Sequence, residues 1–197
     1  MIAIEDFLSN EECQHLIRLT TRTDDGKEET DLMTRSAIDS KYRVRRTSSS
    51  LVIDWESHPI SKTINARATS LLLSDPAVTA IEPSGYVIRY RPAENGRRLR
   101  GESFGLHHDA GPTTRNFYST LLVYLNTLTE GGETIFPDLG LEMRPTAGYA
   151  IWFRNLYDDG SRDGRMKHEA AAPVGATKYA CQWIGLCNRP SALSGFV

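Results

Sequence analysis

The spacing of apolar residues changes once along this chain. Ser9 followed three residues later by Glu12 forms a capping-box signal, and Cys13, Leu16, Ile17 and Thr20 then recur at helical spacing. A helix from about Asn10 to Arg22 is predicted. The next stretch, TDDGKEETDLMTRSAIDSK at 23–41, is polar, glycine-bearing and without period. It reads as a long mobile surface loop whose length makes it a lid candidate. A second helix is predicted from about His58 to Leu73, where Ile60, Ile64, Ala68 and Leu71 or Leu72 build an apolar face before Asp75 and Pro76 end it.

From Gly85 onward the period shortens. GYVIRY, ESFGLHHD, STLLVYLN, ETIF, YAIWF, RMKHEA and KYACQWIGL are short runs rich in β-branched and aromatic residues, most of them separated by glycine, proline or aspartate. Such runs predict an all-β core closing on itself as a jelly roll, flanked by the two N-terminal helices. Residues 1–80 then supply helical support and the loop, and 85–190 the barrel, within a single domain spanning 1–197. No Pro/Gly/Ser-rich linker or internal repeat divides the chain, and its 197 residues suffice for one substantial core.

Charge adds little: 23 Lys and Arg stand against 25 Asp and Glu, a balance that makes no case for nucleic acid as a partner. Two arginine clusters, Arg43, Arg45 and Arg46, and Arg97, Arg98 and Arg100, are candidates to line an entrance for an anionic substrate, solvated surface being the commoner fate of such clusters. Cys13, Cys181 and Cys187 cannot all pair and form no CxxC, so a reduced compartment is expected, with Cys181 and Cys187 as small buried hydrophobes on the last strand. The N-terminus lacks a basic region before an apolar run, and no stretch approaches the ~20 apolar residues of a membrane span. A soluble, cytoplasmic protein is expected, its oligomeric state unreadable.

The chemistry concentrates in GLHHDAG and MKHEAAAP. His107, Asp109 and His168 offer two imidazoles and one carboxylate, the set that holds a ferrous ion on one face and leaves the other open. On a strand His107 and Asp109 share a side, whereas an adjacent His108 and Asp109 pair would point to opposite faces. His15 and His58 lie on helical segments and read as structural. Ten residues beyond His168 stands Lys178, a cation suited to a carboxylate cosubstrate. Zinc hydrolysis is a further use of such ligands, but HExxH is absent and no general base is evident.

HHD, YLNTLTEGGETIFP and the His168 to Lys178 run, with IEDFLSNEECQHLI and RYRP before them, resemble the iron and 2-oxoglutarate dependent dioxygenases of the prolyl 4-hydroxylase type. The segment GYAIWFRNLYDDGSRDGRMKHEAAAPV resembles the third-ligand region of the peptidyl prolyl hydroxylases. The resemblance covers most of the chain. It implies a double-stranded β-helix, Fe(II) on His107, Asp109 and His168, and 2-oxoglutarate anchored through its distal carboxylate by Lys178. Oxygen would be the cosubstrate and ascorbate the reductant. Thr134 and Tyr90 are candidate donors to the cosubstrate. Tyr124 joins them if its strand register turns it into the barrel and is otherwise a core tyrosine. In the related halogenases a small residue replaces the carboxylate, so Asp109 implies hydroxylation.

Two departures from the family pattern stand out: AENGRRLRGES separates Tyr90 from His107, with Phe104 where a tyrosine often precedes the metal, and Pro173–Val174 comes one residue late, leaving the ligand-to-lysine spacing unchanged. Trp152 and Trp183 read as core or pocket wall, and Arg154 and Arg115 as surface ion pairs near the mouth. The expected substrate is a prolyl residue in a peptide. A free amino acid or small natural product is the alternative, and a non-catalytic metal-dependent binding domain is the alternative of another class.

Overall fold

The computed structural model describes residues 1–22, 30–35, 46–94, 100–111, 114 and 116–188. Fourteen strands and two helices follow in chain order: β1 (Ile2–Ile4), α1 (Asn10–Arg18), β2 (Thr21–Arg22), β3 (Thr30–Asp31), β4 (Thr34–Arg35), β5 (Ser49–Val52), α2 (Pro59–Leu73), β6 (Ala80–Ile81), β7 (Tyr86–Tyr90), β8 (Phe104–His107), β9 (Phe117–Tyr124), β10 (Thr134–Phe136), β11 (Leu141–Met143), β12 (Ala150–Arg154), β13 (His168–Ala170) and β14 (Lys178–Leu186).

The strands are antiparallel; β2 and β3 pair with each other alone, and the rest form two facing sheets. The larger runs β1-β12-β9-β14-β7-β5-β4, with β6 also on β14; the smaller runs β11-β10-β13-β8. This is the expected jelly roll, a double-stranded β-helix, with the helices outside it. Alternation along the central strands sorts the side chains between two environments. Val87, Leu121, Val123, Cys181 and Trp183 face outward onto Cys13 and Leu16 of α1 and Ile64, Ala68 and Leu72 of α2, forming the main core. Their strand neighbours Ile88, Tyr90, Thr120, Leu122, Lys178 and Ala180 face the space between the sheets. Phe136, Ile151, Phe153 and Met166 close one side of that space.

The first helix starts as the capping box dictates. The Ser9 hydroxyl accepts from Glu12 N at 3.1 Å and the Glu12 carboxylate accepts from Ser9 N at 2.9 Å. It ends earlier than the apolar spacing predicts. The Thr20 hydroxyl donates to Ile17 O at 2.7 Å, and Thr21–Arg22 pairs with β3 instead of continuing the helix. Part of the expected loop is also structured: Asp31 on β3 accepts from Arg89 and Arg91, and β4 pairs with β5. The rest of that loop lies outside the described residues. The second helix matches its expected span, with His58 as N-cap accepting from Ile60 N at 3.1 Å. β1, β5, β6 and β11, of two to four residues each, went unpredicted. Among the described residues no helix is long and apolar enough to cross a membrane.

Candidate metal and cosubstrate site

β8 and β13 are neighbours in the smaller sheet, and their register sets His107 directly opposite His168. The strand stops at His107, so Asp109 sits in the bend beyond it rather than on the strand, yet it converges as the spacing implies. Asp109 Oδ1 lies 3.5 Å from His107 Nε2 and 3.8 Å from His168 Nε2, and the three ligand atoms fall within 4.8 Å of one another.

Both imidazoles are held in one tautomer. His107 Nδ1 donates to Gly105 O and His168 Nδ1 to Met166 O, each at 2.9 Å, which turns both Nε2 lone pairs toward Asp109. Burial drives the His168 imidazole down to about 4 against the pull of Asp109, favouring the neutral form that ligates metal. Burial pushes the Asp109 carboxyl up, but His168, His107 and Thr120 outweigh it and hold the group well below the usual carboxylate range. The Asp109 backbone is fixed too, since the Thr114 hydroxyl donates to its carbonyl at 2.6 Å. His108 takes no part in the cluster: its Nδ1 accepts from Ala110 N and its Nε2 donates to Asp163 O.

The inter-sheet cavity, of about 1250 Å³, runs from this cluster to Lys178. Lys178 is 1% exposed, opposite Tyr90 across the β7–β14 ladder and diagonal to Tyr124 on β9. Its Nζ sits 5.2 Å and 5.3 Å from the centres of the Tyr90 and Tyr124 rings. The β9 register therefore turns Tyr124 into the barrel, where its hydroxyl donates to Met143 O at 3.2 Å. Among the described residues no carboxylate lies within ion-pair distance of Lys178, and burial lowers the amine to about 7, with only the charge of Glu133 opposing. Thr134 Oγ1 is buried without a hydrogen bond of good geometry, although the Tyr124 hydroxyl is close enough to feel it. The turn before Thr134 depends on Gly132, whose φ of +76° and close approach to Leu128 leave no room for a Cβ. Tyr90 is buried beside Ser48, its hydroxyl hydrogen-bonded there.

Other candidate positions lie away from the metal cluster, within what the sequence left open. Trp183 stacks on Trp55 at 5.1 Å in the main core rather than lining the cavity, and Trp152 is half-buried on its edge. Arg154, itself exposed, bonds the buried Asp75 carboxylate at 2.7 Å, an ion pair as expected. Of the arginine clusters, Arg46 lines the cavity with its guanidinium 4.8 Å over Phe104, which stacks on His107, and Arg100 is exposed. Arg43, Arg45, Arg97, Arg98 and Arg115 lie outside the described residues. Sequence reasoning missed Thr120, whose hydroxyl donates to Asp109 Oδ2 at 2.6 Å, and Asn155, whose amide donates to Thr120 at 2.9 Å. The inward parity of Thr120 on β9 was available as a signal; nothing in the sequence marked Asn155.

Comparison with known proteins agrees with this arrangement. The chain is 28% identical over 210 residues to prolyl 4-hydroxylase 1 of Arabidopsis thaliana, covering 93% of this chain and 68% of that protein. It is 30% identical over 173 residues to probable prolyl 4-hydroxylase 11 of the same plant, covering 81% and 55%. Against a third relative, probable prolyl 4-hydroxylase 4, it spans 65% of the length. No family model matches. In fold it matches the viral collagen prolyl hydroxylase of Paramecium bursaria Chlorella virus-1, solved with 2-oxoglutarate, at a TM-score of 0.67 and 22% identity, covering 93% of each chain. It also matches a Pseudomonas putida prolyl 4-hydroxylase at 0.68 and 16% identity, covering 95% and 92%. A Trichoplax adhaerens prolyl hydroxylase in complex with a hypoxia inducible factor peptide fragment matches at 0.65 and 17% identity, covering 98% and 86%. The chain thus resembles the prolyl 4-hydroxylase type of dioxygenase in sequence and in fold.

Proposed function

We propose that this chain is an Fe(II) and 2-oxoglutarate dependent dioxygenase of the prolyl 4-hydroxylase type that hydroxylates an unactivated C–H bond, with a prolyl residue in a peptide as its substrate. The observation that carries this reading is the meeting, in one cavity, of two imidazoles and a carboxylate with a buried lysine that has no carboxylate partner among the described residues. A cluster of that composition suits Fe(II) with open coordination places. The lysine, with the Thr134 hydroxyl that lines the same cavity and lacks a hydrogen bond of good geometry, suits one end of a dicarboxylate that would otherwise bury an unpaired charge.

His107, Asp109 and His168 would hold the metal, and Lys178 and Thr134 would hold the far carboxylate of 2-oxoglutarate, with Tyr90 and Tyr124 walling its path. Iron and 2-oxoglutarate supply the oxidising power when bound, dioxygen being divided between succinate and the hydroxylated product with loss of carbon dioxide. The protein's part is to orient these groups and keep water from them. Val52 and Leu106, exposed yet lining the mouth, widen the apolar entrance, and a cavity of about 1250 Å³ is larger than a free amino acid needs. Both features favour a peptide, as does the peptide bound to the Trichoplax adhaerens relative.

The test is succinate formation by anaerobically loaded protein given Fe(II), 2-oxoglutarate, ascorbate and oxygen, with and without proline-rich peptides. Succinate that rises with peptide is the expected result. Succinate that responds only to free amino acids or other small molecules would move the substrate assignment to that class. Iron binding with no succinate under any condition would leave a metal-dependent binding domain instead.

A further inference from the structure

Asp109 has two oxygens, and the structure treats them differently. Oδ1 faces the two histidine Nε2 atoms, whereas Oδ2 accepts from the Thr120 hydroxyl at 2.6 Å. A carboxylate only accepts, so Thr120 must donate its single proton to it. Thr120 Oγ1 can then only accept from the amide of Asn155, which fixes Nδ2 as the atom 2.9 Å away. Asn155 is fully buried and its backbone is clamped, its N–H donating to Tyr118 O at 2.6 Å and its carbonyl accepting from Asp163 N at 3.0 Å. With the amide so turned, Asn155 Oδ1 is buried and has no partner among the described residues.

We infer that Thr120 and Asn155 are positioning residues that hold Asp109 to ligation through one oxygen, so that a metal carrying a chelating cosubstrate keeps one further place open. This rests on the proposed metal reading. An octahedral ion has room for two imidazoles, one carboxylate oxygen, a two-atom chelate and one more ligand. If Oδ2 also bound, that last place would close once the chelate was present. Asn155 matters because, without its amide, the Thr120 proton is free to turn away from Oδ2.

Nitric oxide binding to the anaerobic Fe(II) protein, followed by its paramagnetic resonance signal with and without 2-oxoglutarate, reads the open place without turnover. Thr120→Val removes the hydroxyl at nearly constant shape, Thr120→Ser restores it, and Asn155→Leu removes the amide. In Thr120→Val, nitric oxide affinity is expected to fall about tenfold or more with 2-oxoglutarate present while staying near wild type without it, the scale at which groups behind a ligand tune a metal. Thr120→Ser should recover wild-type behaviour and Asn155→Leu should fall between. Wild-type nitric oxide binding in both Thr120→Val and Asn155→Leu, with iron bound, would overturn the inference and leave the metal reading intact. Equal loss with and without 2-oxoglutarate, or unfolding of Thr120→Val that Thr120→Ser does not share, would make Thr120 a structural residue and overturn it too. Failure of the wild type to bind iron would instead defeat the metal reading itself.

Discussion

At the corner where β8 meets β13, each titratable group has a protein partner: both histidine Nδ1 atoms donate to backbone carbonyls, and Asp109 accepts from Thr120. At the other end of the cavity, Lys178 lies on a long central strand between two aromatic faces, and the nearby Thr134 hydroxyl lacks a good partner. The corner is organised before anything binds. At the lysine end burial lowers the amine to about 7, and among the described residues no carboxylate pairs with it, so a carboxylate brought by a ligand would complete it. A site preorganised at one end and incomplete at the other selects for a ligand that brings negative charge to a fixed distance from the metal corner.

The sharpest way to break this contrast is at the corner. His168→Ala removes one of three ligands, so iron binding should be lost and succinate formation should fall by roughly 10³-fold or more, as for other residues that act as a unit. Iron stoichiometry after anaerobic loading measures this directly, and retained iron with full turnover would rule His168 out as a ligand. Lys178→Met comes next and should move two quantities in opposite directions. The 2-oxoglutarate requirement should rise by about 30-fold or more, corresponding to ~2 kcal/mol for one partner of a buried charge pair. The ligand-free variant should melt higher than the wild type, because a buried amine with no counterion among the described residues has been replaced by an apolar chain of similar length. A lower melting point would show that the amine is satisfied in the free protein.

How much of this was legible in the sequence follows from the range over which each signal acts. The helix starts and the long strands were readable because a capping box or a run such as KYACQWIGL encodes its own environment. The first helix was overextended because Thr20 keeps the apolar spacing while its hydroxyl takes the carbonyl of Ile17. The pairing of His107 with His168 was legible as spacing plus likeness, but the ladder register that faces them is a tertiary fact. Register likewise settled Tyr124, which parity alone left between barrel and core. Asn155 was invisible because its role comes wholly from a contact with Thr120, 35 residues away.

A smaller effect, of pH, distinguishes the two ends again. In the free protein burial lowers Lys178 to about 7, while in the unfolded chain it titrates near 10.5. Between those values the unfolded chain binds the extra proton, so this group makes the ligand-free protein more stable as pH rises through that window. Cosubstrate binding has the opposite sign, because the dicarboxylate needs the ammonium form. Apparent 2-oxoglutarate affinity should therefore hold below pH ~7 and weaken above it, by up to about tenfold per pH unit, with proton uptake on binding. Binding measured by calorimetry in two buffers of different ionisation enthalpy reports that uptake. A flat profile from pH ~6 to ~9 would mean that the lysine is already charged in the free protein.

The mildest probe is Thr134→Val. In the ligand-free protein Thr134 Oγ1 is buried without a good partner, so replacing the hydroxyl by a methyl of the same shape should leave the melting point unchanged or slightly raised. With 2-oxoglutarate the same change deletes one donor to the distal carboxylate, and the requirement should rise by roughly two- to tenfold, the range of ~0.5–1.5 kcal/mol per hydrogen bond. Iron binding should not change, because the change leaves the candidate ligands His107, Asp109 and His168 in place. A variant that lost stability and cosubstrate affinity together would show Thr134 supporting the fold through Tyr124, and the lysine end would then be as preorganised as the metal corner.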